Sequence, residues 1–467
     1  MASIKQYLGR CLGRASHAGL RSFRQLTRTT GPVFLCAVTA FQTAGASVSP
    51  AAQQAVSVDR YLGLDMLQAI RQDLKEFYYD PNFHGIDLEA RYKLAQQQVK
   101  AAESAGQMFA LIGQFLLDLK DSHTSFIPPT LQTTVDYGWL MQLYGDKCYV
   151  VALKPDSDAF AKGLRLGDEI DAIDGFKPTR ENIAELLYSY YVLMPAVRMT
   201  VTVRDPKGAL RPIEIASAVV RNQKSRPSSK ADPAPCYEAS GAPLICKLTT
   251  FEARTKDIDR MMAKASHYEK LILDLRGNEG GAEDVLLHLI GYFFDREVRI
   301  GTSLTRKQPR KVVAKPHGKD GFKGQLIVLV DSNSASASEI FARVIQIEKR
   351  GQVVGDRTAG MVMGSIVIAH PIGERDILFQ TPRRLYFVSV TVDELVMSDG
   401  RRLENVGVSP DVVALPAPSD LAAARDPVLT RAAASFGFEI DPAKAGALWP
   451  ANKETEKRNE PRERANQ

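Results

Sequence analysis

The sequence of 467 residues has no apolar run near the ~20 residues needed to cross a bilayer, so a permanent membrane span is not expected. Its seven histidines include no His-x-x-x-His pair, and its five cysteines show no metal-ligand spacing. A zinc hydrolase therefore lacks its usual ligand pattern, and no metal or other cofactor is expected. The strict Gly-x-Ser-x-Gly elbow is also missing, which removes an ordinary α/β-hydrolase. Acids are absent from residues 1–46, which carry Lys5, Arg10, Arg14, Arg21, Arg24 and Arg28. Without those six the chain holds 54 residues of each sign, so the sequence pI of 8.9 reflects the leader alone. Nucleic acid is rejected as the default partner.

What is present begins with that leader. A basic stretch precedes the apolar run Pro32 to Phe41, and Ala44-Gly45-Ala46 supplies a small-x-small cleavage pattern, so 1–46 reads as a secretory signal peptide. A periplasmic or secreted protein follows; the Arg-rich first 30 residues also suit an organelle transit peptide. Apolar residues make up 45% and charged residues 24%, as in globular proteins, and the length calls for about three domains. In an oxidising compartment Cys236 and Cys246 could close a short loop, leaving Cys148 as a core residue.

Helical spacing of Leu67, Ile70, Leu74 and Phe77, and again of Phe109, Ile112, Leu116 and Leu119, predicts a helical segment over 47–126. It ends at Asp121-Ser122-His123-Thr124. Short strands then predict a β-rich domain over 127–221, in which Ala159 to Gly175 resembles a PDZ signature; such domains bind peptide carboxyl ends by strand addition. A Ser/Pro/Lys linker, 222–235, leads to the apolar runs Leu271 to Leu275 and Leu326 to Val330. Both read as buried strands followed by helices, an α/β layer over 222–420. Residues 421–467 read as a C-terminal helix and a charged, disordered tail.

Two strand-loop-helix segments carry the chemistry. Asp274-Leu275-Arg276-Gly277-Asn278-Glu279-Gly280-Gly281 can turn backbone N–H groups toward an oxyanion, or can be a plain βα turn. Asp331 to Glu339 places small residues and a hydroxyl at a helix start, where Ser336 with Glu339 also fits a capping box.

Together with VVGDRTAG (353–360) and ENVGVSPDV (404–412), these segments resemble peptidase family S41, which includes tail-specific processing proteases and tricorn core proteases. The resemblance implies an α/β core of ClpP/crotonase type and a nucleophile at Ser336. The tail-specific branch uses a lysine at the position of Met361, and a thioether cannot accept a proton. The tricorn branch has a Ser-His pair and a glutamate, matched here by Ser122-His123 and Glu404. By resemblance His123 is the general base, Ser122 and Glu404 orient it, and Gly280 or Gly281 with Ala337 forms the oxyanion hole. The implied activity is a serine peptidase acting on proteins or peptides, possibly through their C-termini. The rival is a noncatalytic protein on the same scaffold that binds apolar ligands or peptides.

Overall fold

Strands with uninterrupted apolar sequence must be covered on both faces, and the centre of this protein is built that way. The computed structural model describes residues 60–129, 133–204, 208–221, 232–372 and 385–448. The leader (1–46), residues 222–231 of the linker and the tail (452–467) lie outside the described residues.

Three helices come first, α1 (Arg60–Phe77), α2 (Leu88–Lys100) and α3 (Ala105–Leu117), followed by the short strand β1 (Ser125–Ile127). The apolar face of α1 (Met66, Leu67, Ile70, Leu74) packs on α2 and α3 and on Val388 and Val390. The helical segment is thus fastened to the far end of the chain.

A two-stranded ribbon, β2 (Thr133–Asp136) with β8 (Ala218–Arg221), brackets the next region. Within it β3 (Trp139–Tyr144), β4 (Lys147–Leu153), β5 (Glu169–Ile173), β6 (Arg198–Arg204) and β7 (Leu210–Ala216) form an antiparallel sheet in that order. In β6 the residues Met199, Val201 and Val203 are buried and those between them are not, the alternation of a one-sided sheet. Cys148 is a buried free thiol in this core.

The central sheet runs β18-β15-β14-β11-β10-β9, with β9 (Cys236–Tyr237), β10 (Leu244–Lys247), β11 (Lys270–Asp274), β14 (Gln325–Val330), β15 (Gln352–Gly355) and β18 (Val412–Val413). All its pairings are parallel except that of β9 with β10, where Cys236 and Cys246 face each other and are disulfide-bonded. Leu271, Leu273, Val328 and Val330 point into one layer, against helices Thr255–Ala265, Glu283–Gly291 and Ala337–Ile347. Ile272, Ile327 and Leu329 point into the other, against Leu429, Ala432 and Ala433 of the helix Pro427–Ser435. Each fully buried apolar side chain contributes about 1.5–3 kcal/mol.

A second sheet carries β12 (Val298–Thr305), β13 (Arg310–Ala314), β16 (Met363–Pro371) and the long β17 (Leu385–Met397), which pairs with β1, β12 and β16. No helix of the described residues is long and apolar enough to cross a membrane.

Candidate active site

In an open parallel sheet the loops at the carboxyl ends of the strands converge, and three such loops meet here. The loop after β11 holds Gly277 to Gly281, the loop after β14 holds Asp331 to Ser336, and the loop after β15 holds Asp356 to Gly360. Asp274, fully buried, and Asp426 both pair with Arg276, which ties the first loop to the start of the C-terminal helix.

Ser336 precedes its helix with φ +53°, an uncommon backbone for a residue with a side chain. Two hydrogen bonds from its N–H fix that shape, to Met361 O (2.8 Å) and Glu339 Oε2 (3.1 Å). The capping box is therefore half made: the Glu339 N–H goes to the Ser336 carbonyl, and Ser336 Oγ caps nothing. Glu339 also accepts from Thr358 Oγ1, Gly360 N and Met361 N. Burial pushes its carboxyl up to about 7, opposed by those donors. A carboxylate enclosed by four donors anchors both neighbouring loops to the serine. Sequence reading had this glutamate only as a cap.

Gly280 lies against the serine: a Cβ there would stand 2.7 Å from Ser336 Cβ and 3.0 Å from Ala337 N. Its φ of +98° is likewise open to glycine. Its N–H donates to Asn278 Oδ1 (2.9 Å). Among the described residues the N–H groups of Gly281 and Ala337 are not so engaged. Asn278 is fully buried, and its carbonyl receives Ala335 N–H and Ser338 Oγ, which binds the glycine loop to the serine loop. Sequence reading passed over it, although an asparagine lodged among glycines was a visible signal.

The second half of the site comes from distant segments. Glu404 Oε1 accepts from Ser122 N (2.9 Å) and Oε2 from Ser122 Oγ (3.0 Å) and Val362 N (2.8 Å). Ser122 Oγ is also 2.7 Å from His123 Nδ1. A hydroxyl has one hydrogen, and an ionised Glu404 can only accept, so Nδ1 donates to Ser122 and Nε2 keeps its lone pair. Burial lowers the His123 pKa, opposed by Asp121, which favours the neutral ring. Burial also raises that of Glu404, against the three donors.

One peptide unit joins the halves. Its Met361 carbonyl takes Ser336 N–H and its Val362 N–H goes to Glu404, which puts Ser336 N and Glu404 Oε2 no more than about 8 Å apart. Among the described residues no hydrogen bond links His123 to Ser336. Two clefts of about 580 and 820 Å³ lie elsewhere, and neither is lined by Ser336, His123 or Glu404.

The five-stranded domain touches this site through polar contacts. Gln142 Nε2 reaches Asp331 Oδ2 at 2.7 Å, and Arg180 pairs with Asp356 at 2.7 Å. Asp331 Oδ1 meanwhile holds Gly277 N–H and Asn333 N–H, so one carboxylate serves the domain and two site loops.

Residues 244–414, which contain the serine, both flanking loops and Glu404, match peptidase family S41. Over that stretch the chain is similar to the S41 peptidases. The chain is 24% identical over 343 residues to the tail-specific protease of Haemophilus influenzae, covering 70% of itself and 48% of that protein. It is 26% identical over 276 residues to the carboxy-terminal-processing protease of Bartonella bacilliformis, covering 56% and 57%. The chain thus spans about half the length of these curated relatives. Its fold is that of mature CPAF, solved with lactacystin, at a TM-score of 0.57 and 17% identity over 78% of this chain and 95% of that one.

Proposed function

We propose that this protein is an exported serine peptidase that hydrolyses peptide bonds through an acyl-enzyme on Ser336, with His123 as general base. The observation that carries the reading is the hydrogen-bonded set Glu404, Ser122 and His123, drawn from positions 282 residues apart and leaving Nε2 as the free acceptor. The His123 Nε2 takes the Ser336 proton as Oγ attacks the substrate carbonyl, then returns it to the departing amine. Ser122 and Glu404 hold the ring in one tautomer and stabilise its cation. The N–H groups of Gly281 and Ala337 receive the developing oxyanion. Substrates are proteins or peptides, engaged through their C-termini. The relatives named for tail-specific and carboxy-terminal processing support that substrate class.

A fluorophosphonate probe tests the reading. Covalent labelling mapped to Ser336 in the purified chain, absent from Ser336→Ala, is the expected result. No labelling, together with tight binding of an apolar ligand, would identify the noncatalytic carrier instead.

A further inference from the structure

Two residues before His123 lies a carboxylate that the proposed reaction does not use. Asp121 Oδ1 accepts from His123 N (3.0 Å), Thr124 N (2.7 Å) and Thr391 Oγ1 (2.7 Å). Its Oδ2 accepts from the hydroxyl of Tyr78 at 2.9 Å. Tyr78 is fully buried, just beyond the end of α1, and its carbonyl is held by Arg306. Thr124 and Thr391 also bond each other, side chain to side chain and through the Thr391 N–H. Asp121 therefore gathers the backbone on either side of the imidazole, the middle of β17 and the exit of α1 at one point.

Hydrogen accounting extends the chain outward. An ionised Asp121 is acceptor-only, so the Tyr78 hydroxyl must donate to it and is left as an acceptor. His84 Nε2, at 3.0 Å from the Tyr78 oxygen, then carries the hydrogen of that contact. The His84 side chain is 44% exposed, so the chain runs from solvent to the loop of the base.

We propose that Asp121, braced by Tyr78, is the positioning residue of the general base: it fixes the backbone of His123 and supplies the negative field that the imidazole senses. The proposal rests on His123 being the base. Other charged groups facing this cluster are Glu404 from its loop, Asp80 beside His84, and Glu394 with Arg402, which act on Tyr79. Among these charges Asp121 acts on the His123 ring, favouring the cation against burial.

The test is the titration of the His123 ring in the full chain, followed by NMR and assigned with His123→Gln. Asp121→Asn keeps an oxygen for the three Oδ1 donors but removes the charge, so the His123 midpoint moves to lower pH. Tyr78→Phe removes the donor from Oδ2, concentrates the charge and moves the midpoint up. A merely structural carboxylate would shift neither. An unmoved or raised midpoint in folded Asp121→Asn overturns the proposal; should that variant fail to fold, an unmoved midpoint in Tyr78→Phe does so. Labelling of Ser336 at neutral pH should fall roughly tenfold or more in Asp121→Asn, as expected for a displaced base. If the parent chain takes no label, the peptidase reading fails while the titration still judges Asp121.

Discussion

The two halves of the site are built by different means. The proposed nucleophile half lies inside the parallel-sheet core, where Asn278 and Ser336 sit on neighbouring loops, Glu339 follows in the first turn of the next helix, and the anchors Asn278 and Glu339 are buried. The proposed base half is assembled at an edge, from the end of the helical segment and a loop after β17: the half-buried Ser122 and Glu404 join it to the nucleophile half, while buried Tyr78, Thr124 and Thr391 gather at Asp121. The backbone of Ser336 is thus held from within the core, whereas the imidazole of His123 is held through the half-buried Ser122 and Glu404.

That contrast can be broken at several points. The largest effect is expected from His123→Gln, which removes the acceptor: hydrolysis of an unfolded protein should fall on the order of 10⁴-fold or more while the melting temperature is kept. Full activity in that variant would assign the base elsewhere. Next comes Glu404→Gln, which frees Ser122 and so the imidazole tautomer; a drop of roughly 10²–10⁴ in kcat with little change in KM is expected, read by steady-state kinetics.

On the nucleophile side the loss should appear as stability. Both oxygens of Glu339 accept two donors, so Glu339→Gln sets an amide against N–H and O–H groups and should cost about 2 kcal/mol or more in chemical denaturation. An unchanged denaturation midpoint would mean the two halves do not differ in the way described.

The smallest effect concerns pH. Because burial depresses the His123 pKa, the neutral base persists below the ordinary imidazole value of about 6.5, and Ser336 labelling should decline only as pH falls through the lower folded value. The sign for stability is the same: the unfolded chain takes up the proton first, so folding free energy is lost as pH drops below about 6.5. An acid limb above that value would contradict the depression.

The same contrast governs what was legible in the sequence. Leu271 to Leu275 and Leu326 to Val330 announced the buried strands because a two-sided environment admits only apolar residues. Ser336, Ser122, His123 and Glu404 were placed by family resemblance, since nothing in their local spacing predicts a meeting across 282 positions. Asn278 and the anchoring role of Glu339 were hidden because their importance is in hydrogen bonds to backbone groups, which leave no periodic trace. Which of Gly280 and Gly281 faces an oxyanion was likewise illegible, since the Gly280 N–H bond to the Asn278 amide oxygen leaves no trace in the spacing.

The pairing of β1 with β17, and of Ser122 with Glu404, also sets an order of events during synthesis. A chain growing from its amino end presents His123 early and Ser336 later, but the partner that orients the ring is made only when some four hundred residues have left the ribosome. Every shorter nascent chain therefore lacks the carboxylate that fixes Ser122, and with it the full proposed set of Glu404, Ser122 and His123.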